Sequence, residues 1–246
     1  VAGPAIQIEA FVLRRLPPSD SFQRLVLFDA EHGTVSVMHR VARKPRPDQV
    51  NVDLFDEVTG SVELARNSAG AGAGAATVIS GAGAGIGGPG GMGSGPMWFV
   101  RELRVAARHE QIGHDYETLR RASAFATLVA RNPVPQESRA AVFGLMRRAF
   151  AAFAKFAGPA RETGGGAGPA VVYLKCLYSF ARDEGYPVRQ QWLATLSPEL
   201  RESAALLLQT PLADLGGLDP ARLCDGDVLV RRLAEYLRGH TELEVE

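Results

Sequence analysis

The sequence predicts an α+β chain: a five-stranded β-barrel over residues 1–110, then an all-helical domain over 111–246. Apolar residues recur with a period of two in five short segments of the first part. From Tyr116 onward the period changes to 3.6. No helical pattern separates the five segments, which favours a small antiparallel barrel over a parallel sheet.

The first strand is carried by Ile6, Ile8, Ala10 and Val12 alternating with Gln7, Glu9 and Phe11. Arg24 to Phe28 is a short apolar run, Asp29-Ala-Glu-His-Gly33 is a turn cluster, and Thr34 to Val41 alternates again, so 23–41 reads as a hairpin. A fourth strand is expected over Val52–Ala65, with Gly60 marking a bulge or bend. Asp53, Asp56 and Glu57 are expected on its solvent face. The fifth strand spans Met97–Ala106, around Trp98, Val100, Leu103 and Val105.

Leu119, Ala122, Ala126 and Val129 form the first helical stripe; Val142, Leu145, Ala149, Phe153 and Phe156 form the second. Asn132-Pro-Val-Pro135 separates them. A third helix carries Val171, Leu174, Tyr178 and Ala181 and stops at Gly185-Tyr-Pro187. Ser197-Pro-Glu199 supplies an N-cap, a proline at the first helical position and an acid in the first turn. That helix ends before Thr210-Pro211, and a last one starts near Asp227 with Leu229, Leu233 and Tyr236 inward.

Composition excludes several classes. The chain has 246 residues, 27 Lys+Arg against 27 Asp+Glu, and 2 Cys. Two cysteines build neither a disulfide framework nor a four-cysteine zinc site, and they suit a reducing cytoplasm. No uncharged apolar run reaches the ~18 residues a membrane helix needs, once the proline-interrupted Gly/Ala stretch is set aside. Val1-Ala-Gly-Pro4 has neither the basic nor the apolar region of a secretory leader, so none is expected.

Twelve of the 27 glycines lie in one window, residues 67–96. This reads as a Gly/Ala-rich low-complexity insert in the loop between strands 4 and 5. Within it, Ser80-Gly-Ala-Gly-Ala-Gly-Ile-Gly87 resembles the glycine turn of short-chain dehydrogenases, and Gly83, Gly85 and Gly88 fit G-x-G-x-x-G. Such glycines let a backbone approach a pyrophosphate at a helix N-terminus. Here Gly88-Pro-Gly-Gly91 follows instead of a helix. The Tyr-x-x-x-Lys pair of that family is missing: Arg40, Ala151 and Val171 stand four before the only lysines, Lys44, Lys155 and Lys175. An NAD(P)-dependent oxidoreductase using Gly81–Gly87 is therefore the alternative function rather than the first. His32, His39, His109, His114 and His240 show no metal-ligand spacing, and no catalytic constellation is expected.

One stretch is electrostatically distinct. His32 to Pro47 contains no acid, while Arg40, Arg43, Lys44 and Arg46 crowd its end. Arg14 and Arg15 close the first strand and Arg24 opens the second. On a five-stranded barrel such strand ends can share a face, tracking a phosphate backbone with Phe11, Phe22 or Phe28 available to stack bases.

Ile8-Glu-Ala-Phe-Val-Leu-Arg-Arg15, Ser19-Asp20, Leu25-Val-Leu-Phe-Asp-Ala-Glu-His-Gly-Thr-Val-Ser-Val37 and Ala42-Arg-Lys-Pro45, in this order, resemble the start of the bacterial recombination-repair family RecO. The likeness continues through Leu54–Leu64, Phe99–Ala107, Asp115-Tyr-Glu-Thr-Leu119 and Gly185-Tyr-Pro187. It covers most of the chain outside the insert, and its specificity lies in the order of weak motifs.

The resemblance implies an N-terminal OB-type barrel and a helical C-terminal domain in a non-enzymatic cytoplasmic, nucleoid-associated protein. Such a protein binds single- and double-stranded DNA, anneals strands, works with RecR, contacts the C-terminal tail of single-stranded-DNA-binding protein and assists RecA loading. It carries the family's basic positions onto Arg14, Arg15, Arg40, Arg43 and Lys44; the charge pattern adds Arg24 and Arg46. The chain departs from the family in lacking the four-cysteine zinc module of many members, so no zinc or other cofactor is expected. It also has Val41 where the family often has Gly. A third reading is an adaptor that binds partners but not DNA.

Overall fold

The computed structural model describes residues 5–19, 21–41, 51–64, 97–157, 168–218 and 223–246. Among these residues five strands come first: β1 (Ala5–Arg15), β2 (Phe22–Asp29), β3 (Gly33–Arg40), β4 (Glu57–Leu64) and β5 (Trp98–Ala107). Among the described residues six α-helices follow: α1 (Tyr116–Arg131), α2 (Gln136–Phe156), α3 (Gly168–Asp183), α4 (Trp192–Thr195), α5 (Pro198–Gln209) and α6 (Gly226–His240). The chain divides into two compact units. One is Val1–Arg108 with Val129–Phe143, so the α1–α2 connection belongs with the strands; the other is His109–Leu128 with Gly144–Glu246.

In the first unit the sheet closes into a barrel in the order β1-β2-β3-β5-β4. All pairings are antiparallel except β3 with β5, where Val37 faces Trp98 and Met38 faces Phe99. Alternation fills the interior: Ile8, Ala10, Val12, Leu25, Leu27, Val35, Val37, Val58, Val62, Trp98 and Leu103 form one buried cluster. The alternate residues face outward. Among them Phe11 and Phe28 are in register and fully buried, and Phe11 packs on Phe143 with ring centroids 4.9 Å apart.

Two backbone details shape this unit. Gly60 sits where β4 and β5 approach closely: a Cβ there would lie 2.1 Å from the Glu102 carbonyl oxygen. The expected irregularity is found beside it, with register shifts at Glu57/Val58 and Ser61/Val62. The β2–β3 turn is built on Asp29, whose Oδ1 accepts the N–H groups of Glu31 and His32 at 2.9 and 2.6 Å. Its Oδ2 accepts the Glu9 N–H at 2.8 Å. These bonds satisfy a carboxylate that is only 2% exposed, and Gly33 closes the turn at φ 75°.

The fourth strand starts later than its alternation suggests. Leu54 and Phe55 form a turn, with Phe55 in the left-handed region at φ 67°. That conformation lets Phe55 N–H donate to the Val12 carbonyl while the Asp56 carbonyl accepts from Val12 N–H. Asp56 and Glu57 are consequently buried rather than on a solvent face, and Asp56 Oδ2 accepts the Asp53 N–H at 2.8 Å.

In the second unit α3 is the central element, buried over almost every position from Gly168 to Ala181. Gly226 at the start of α6 lets that helix approach α3, since a Cβ there would meet Val171 Cγ2 at 2.8 Å. Arg121 of α1 pairs with Asp227 of α6 and lies over the Tyr173 ring at 5.8 Å. Asp115 opens α1, its Oδ2 accepting from Thr118 N–H and Oγ1 at 2.9 and 2.8 Å. Ser197 caps α5, accepting the Leu200 N–H at 3.4 Å with Pro198 at the first position. At the other end of α5, Lys175 Nζ donates to the Leu207 and Leu208 carbonyls at 2.7 and 2.8 Å, filling orphan acceptors of the last turn. Among the described residues no helix is long and apolar enough to cross a membrane.

Candidate nucleic-acid interface

The basic face begins with a parity change in β1. Ile8, Ala10 and Val12 point inward, so strict alternation would send Arg14 inward too. A bulge between Val12 and Arg14 inserts Leu13 and reverses the parity. Arg14 then faces Val26 across the ladder on the outer side, and it is exposed. Arg15 takes the inward parity opposite Leu25, at the open end of the barrel.

Register brings two more arginines to the same outer side. Arg24 is the outward residue two before Val26 and is paired with Met38; Arg40 is paired with Phe22. Arg14 and Arg24 are therefore diagonal neighbours, within reach of long side chains. Arg24 and Arg40 are exposed, and Arg24 Nη2 donates to Ser36 Oγ at 3.2 Å. Arg14, Arg24 and Arg40 thus share the outward face of β1–β2–β3, at the end where β1 and β3 finish and β2 begins.

Arg15 is engaged differently. Its Nη1 pairs with Asp53 Oδ1 at 2.6 Å, its Nε is buried without a hydrogen-bond partner, and its side chain keeps 29% exposure. His39 shares the inward parity at this end, paired with Gln23. Burial, with the charge of Arg15 adding to it, holds the His39 imidazole below its usual range and favours its neutral form. Arg43, Lys44 and Arg46, together with the whole 67–96 segment and its Gly81–Gly87 turn, lie outside the described residues.

Passing from β3 across β5 to β4, the outward residues include Glu102, Arg104 and Glu63; Glu102 is bound to Arg104 at 2.7 Å. Between the arginines and these acids lie Phe22, Met38 and Phe99, all half-buried. Phe22 and Phe99 meet edge to face, centroids 5.6 Å apart at 81°. Of the three phenylalanines the sequence offers for base contact, Phe22 alone is accessible: Phe11 and Phe28 are fully buried. Phe99 and Met38 escaped sequence reasoning. Trp98-inward, Phe99-outward alternation was readable, but the β3–β5 neighbour relation was not.

Among the described residues no group of three or more His, Cys, Asp or Glu side chains is arranged to hold a metal ion. Cys176 is buried and Cys224 exposed, both unbridged. The exposed arginines and the neighbouring aromatics form an arrangement suited to binding a polyanion. Comparison with known protein families finds no matching family model, and comparison with characterised proteins finds no significant match.

Proposed function

We propose that this chain is a RecO-like DNA repair and recombination mediator whose five-stranded closed sheet is an OB-type barrel. It captures single- and double-stranded DNA by the phosphate backbone, promotes strand annealing, and assists RecA loading with RecR, without bond chemistry of its own. Contact with the C-terminal tail of single-stranded-DNA-binding protein and a place at the bacterial nucleoid belong to the same proposal. The observation that carries it is the shared outward face of Arg14, Arg24 and Arg40. Backbone capture needs cations at phosphate spacing and no buried catalytic group. The strand order β1-β2-β3-β5-β4 and the ordered RecO-like motifs support the barrel type.

The test is the salt dependence of DNA affinity measured on the full chain. Each phosphate neutralised releases counterions, so three contacts lower affinity by about 20- to 40-fold between 50 and 200 mM salt. A flat salt response, or no binding at 50 mM, refutes the proposal. An adaptor without DNA contacts would capture single-stranded-DNA-binding protein tail peptide while failing this assay.

A further inference from the structure

The arginines share their outward face with apolar side chains whose position is specific. Phe22 is in register with Arg40, and Met38 lies between Arg24 on β2 and Phe99 on β5. Phe99 is in turn paired with Glu63 of β4. At this end of the barrel the outer surface is therefore cationic at Arg14, Arg24 and Arg40 and apolar where Phe22, Met38 and Phe99 meet. Phe11 and Phe28, which also face outward, are fully buried. Phe22 and Phe99 remain half-open beside the arginines.

We propose that Phe22, Met38 and Phe99 form a stacking platform for unpaired nucleobases, which makes this face selective for single-stranded over duplex nucleic acid. The inference rests on the reading of the arginines as phosphate contacts and adds the strand preference to it. Phosphate contacts alone hold single strands and duplexes by the same chemistry. A base inside a duplex has both faces covered by its neighbours, whereas an unpaired base has a face to offer. Base–aromatic stacking tolerates any sequence because every base has a π-face. Phosphates run along Arg14, Arg24 and Arg40, and bases project toward the adjoining Phe22 and Phe99.

The experiment compares three probes of equal length by fluorescence anisotropy on the full chain: oligothymidylate, an abasic oligomer with the same phosphates, and a duplex. The wild type is expected to bind oligothymidylate at least about 5-fold more tightly than the abasic oligomer, the low end of one stacked base. The Phe22→Leu/Phe99→Leu double variant keeps apolar volume in the face, and a thermal melt checks that it is folded. It is expected to lose that preference while its affinity for the abasic oligomer and the duplex changes less than about 2-fold. Equal wild-type binding to oligothymidylate and the abasic oligomer overturns the platform and leaves phosphate capture standing. An equal loss on all three probes in the variant also overturns it, since the rings would then act only on structure. No binding to any probe overturns both proposals.

Discussion

The Arg139 guanidinium donates from Nη1 to the backbone carbonyl of Glu31 at 2.7 Å, joining residues 108 apart in sequence. Both lie in the strand-containing unit. Gly33 makes the room: a Cβ there would stand 2.9 Å from Arg139 Nε. Arg139 is only 7% exposed, so protein acceptors replace water around its guanidinium. Arg139→Met keeps the apolar stem and removes the donors, and it is expected to lower stability by about 1.5–3 kcal/mol, the value of a charged hydrogen bond. Chemical denaturation checks this, and a change under about 0.5 kcal/mol contradicts it.

Gly60→Ala is expected to be among the most damaging single substitutions in the barrel. The new methyl group would sit 2.1 Å from a backbone oxygen of β5, which cannot rotate away as a side-chain tip can. Strand separation at this site costs about 3 kcal/mol or more, the upper end for overpacking. The melting temperature of the variant reads this directly, and a wild-type melting curve would show that β4 and β5 have slack.

Arg14→Gln and Arg24→Gln are expected to weaken DNA binding by a similar factor for unrelated sequences. Each should also reduce the slope of log affinity against log salt by about 1, because each removes one phosphate contact. Arg14 carries the sharper information, since its outward position depends on the bulge at Leu13. Loss confined to one DNA sequence would contradict backbone capture.

Deleting residues 69–95 is expected to leave the fold and DNA affinity in place. Leu64 and Trp98 are partners across β4–β5, so the shortened connection of about six residues still spans them as an ordinary hairpin loop. A nicotinamide-dependent oxidoreductase would instead lose cofactor binding, which fluorescence titration with NADPH would reveal.

Three neighbouring groups on α3 give stability an alkaline signature. Burial holds the Lys175 ammonium down to about 8. Its stabilising share is present above its unfolded value near 10.5 and lost as pH falls through 8. Burial pushes the Tyr173 hydroxyl up to about 12 and raises the Cys176 thiol well above its ordinary value near 9. Those two shares are present at neutral pH and lost above about 9 to 10, where only the unfolded chain ionises. The stability of wild type relative to Lys175→Met should therefore rise between pH 7.5 and 10. Wild type relative to Cys176→Ala should fall above pH 9. Denaturant midpoints across that range measure both, and opposite slopes would reject the assignment.

Much of the secondary structure was legible in advance because its causes are local. The period-two runs became β1, β2, β3 and β5, and Ser197-Pro198 opened α5 through a cap that needs only adjacent residues. The misreading around Val52–Asp56 also has a local cause. Alternating apolar residues resemble a strand, but Phe55 turns left-handed to bond Val12, a partner more than forty residues away. Buried Asp56 and Glu57 follow from that turn, and composition carries no trace of it.

The candidate site divides along the same line. Charge clustering named Arg14, Arg24 and Arg40 from residue type alone, since cations crowding strand ends are visible in any linear string. Which way each one points was decided only by pairing. The bulge at Leu13 sends Arg14 outward and Arg15 inward, and register sets Arg24 beside Met38 and Met38 beside Phe99. Side-chain direction in a strand has a period of two, so one inserted residue reverses every position beyond it. The parallel β3–β5 contact joins segments separated by the glycine-rich window, a neighbourhood that no local pattern encodes. Sequence thus set the inventory of strands, helices and charges, while long-range pairing decided which of those charges share a surface with Phe22 and Phe99.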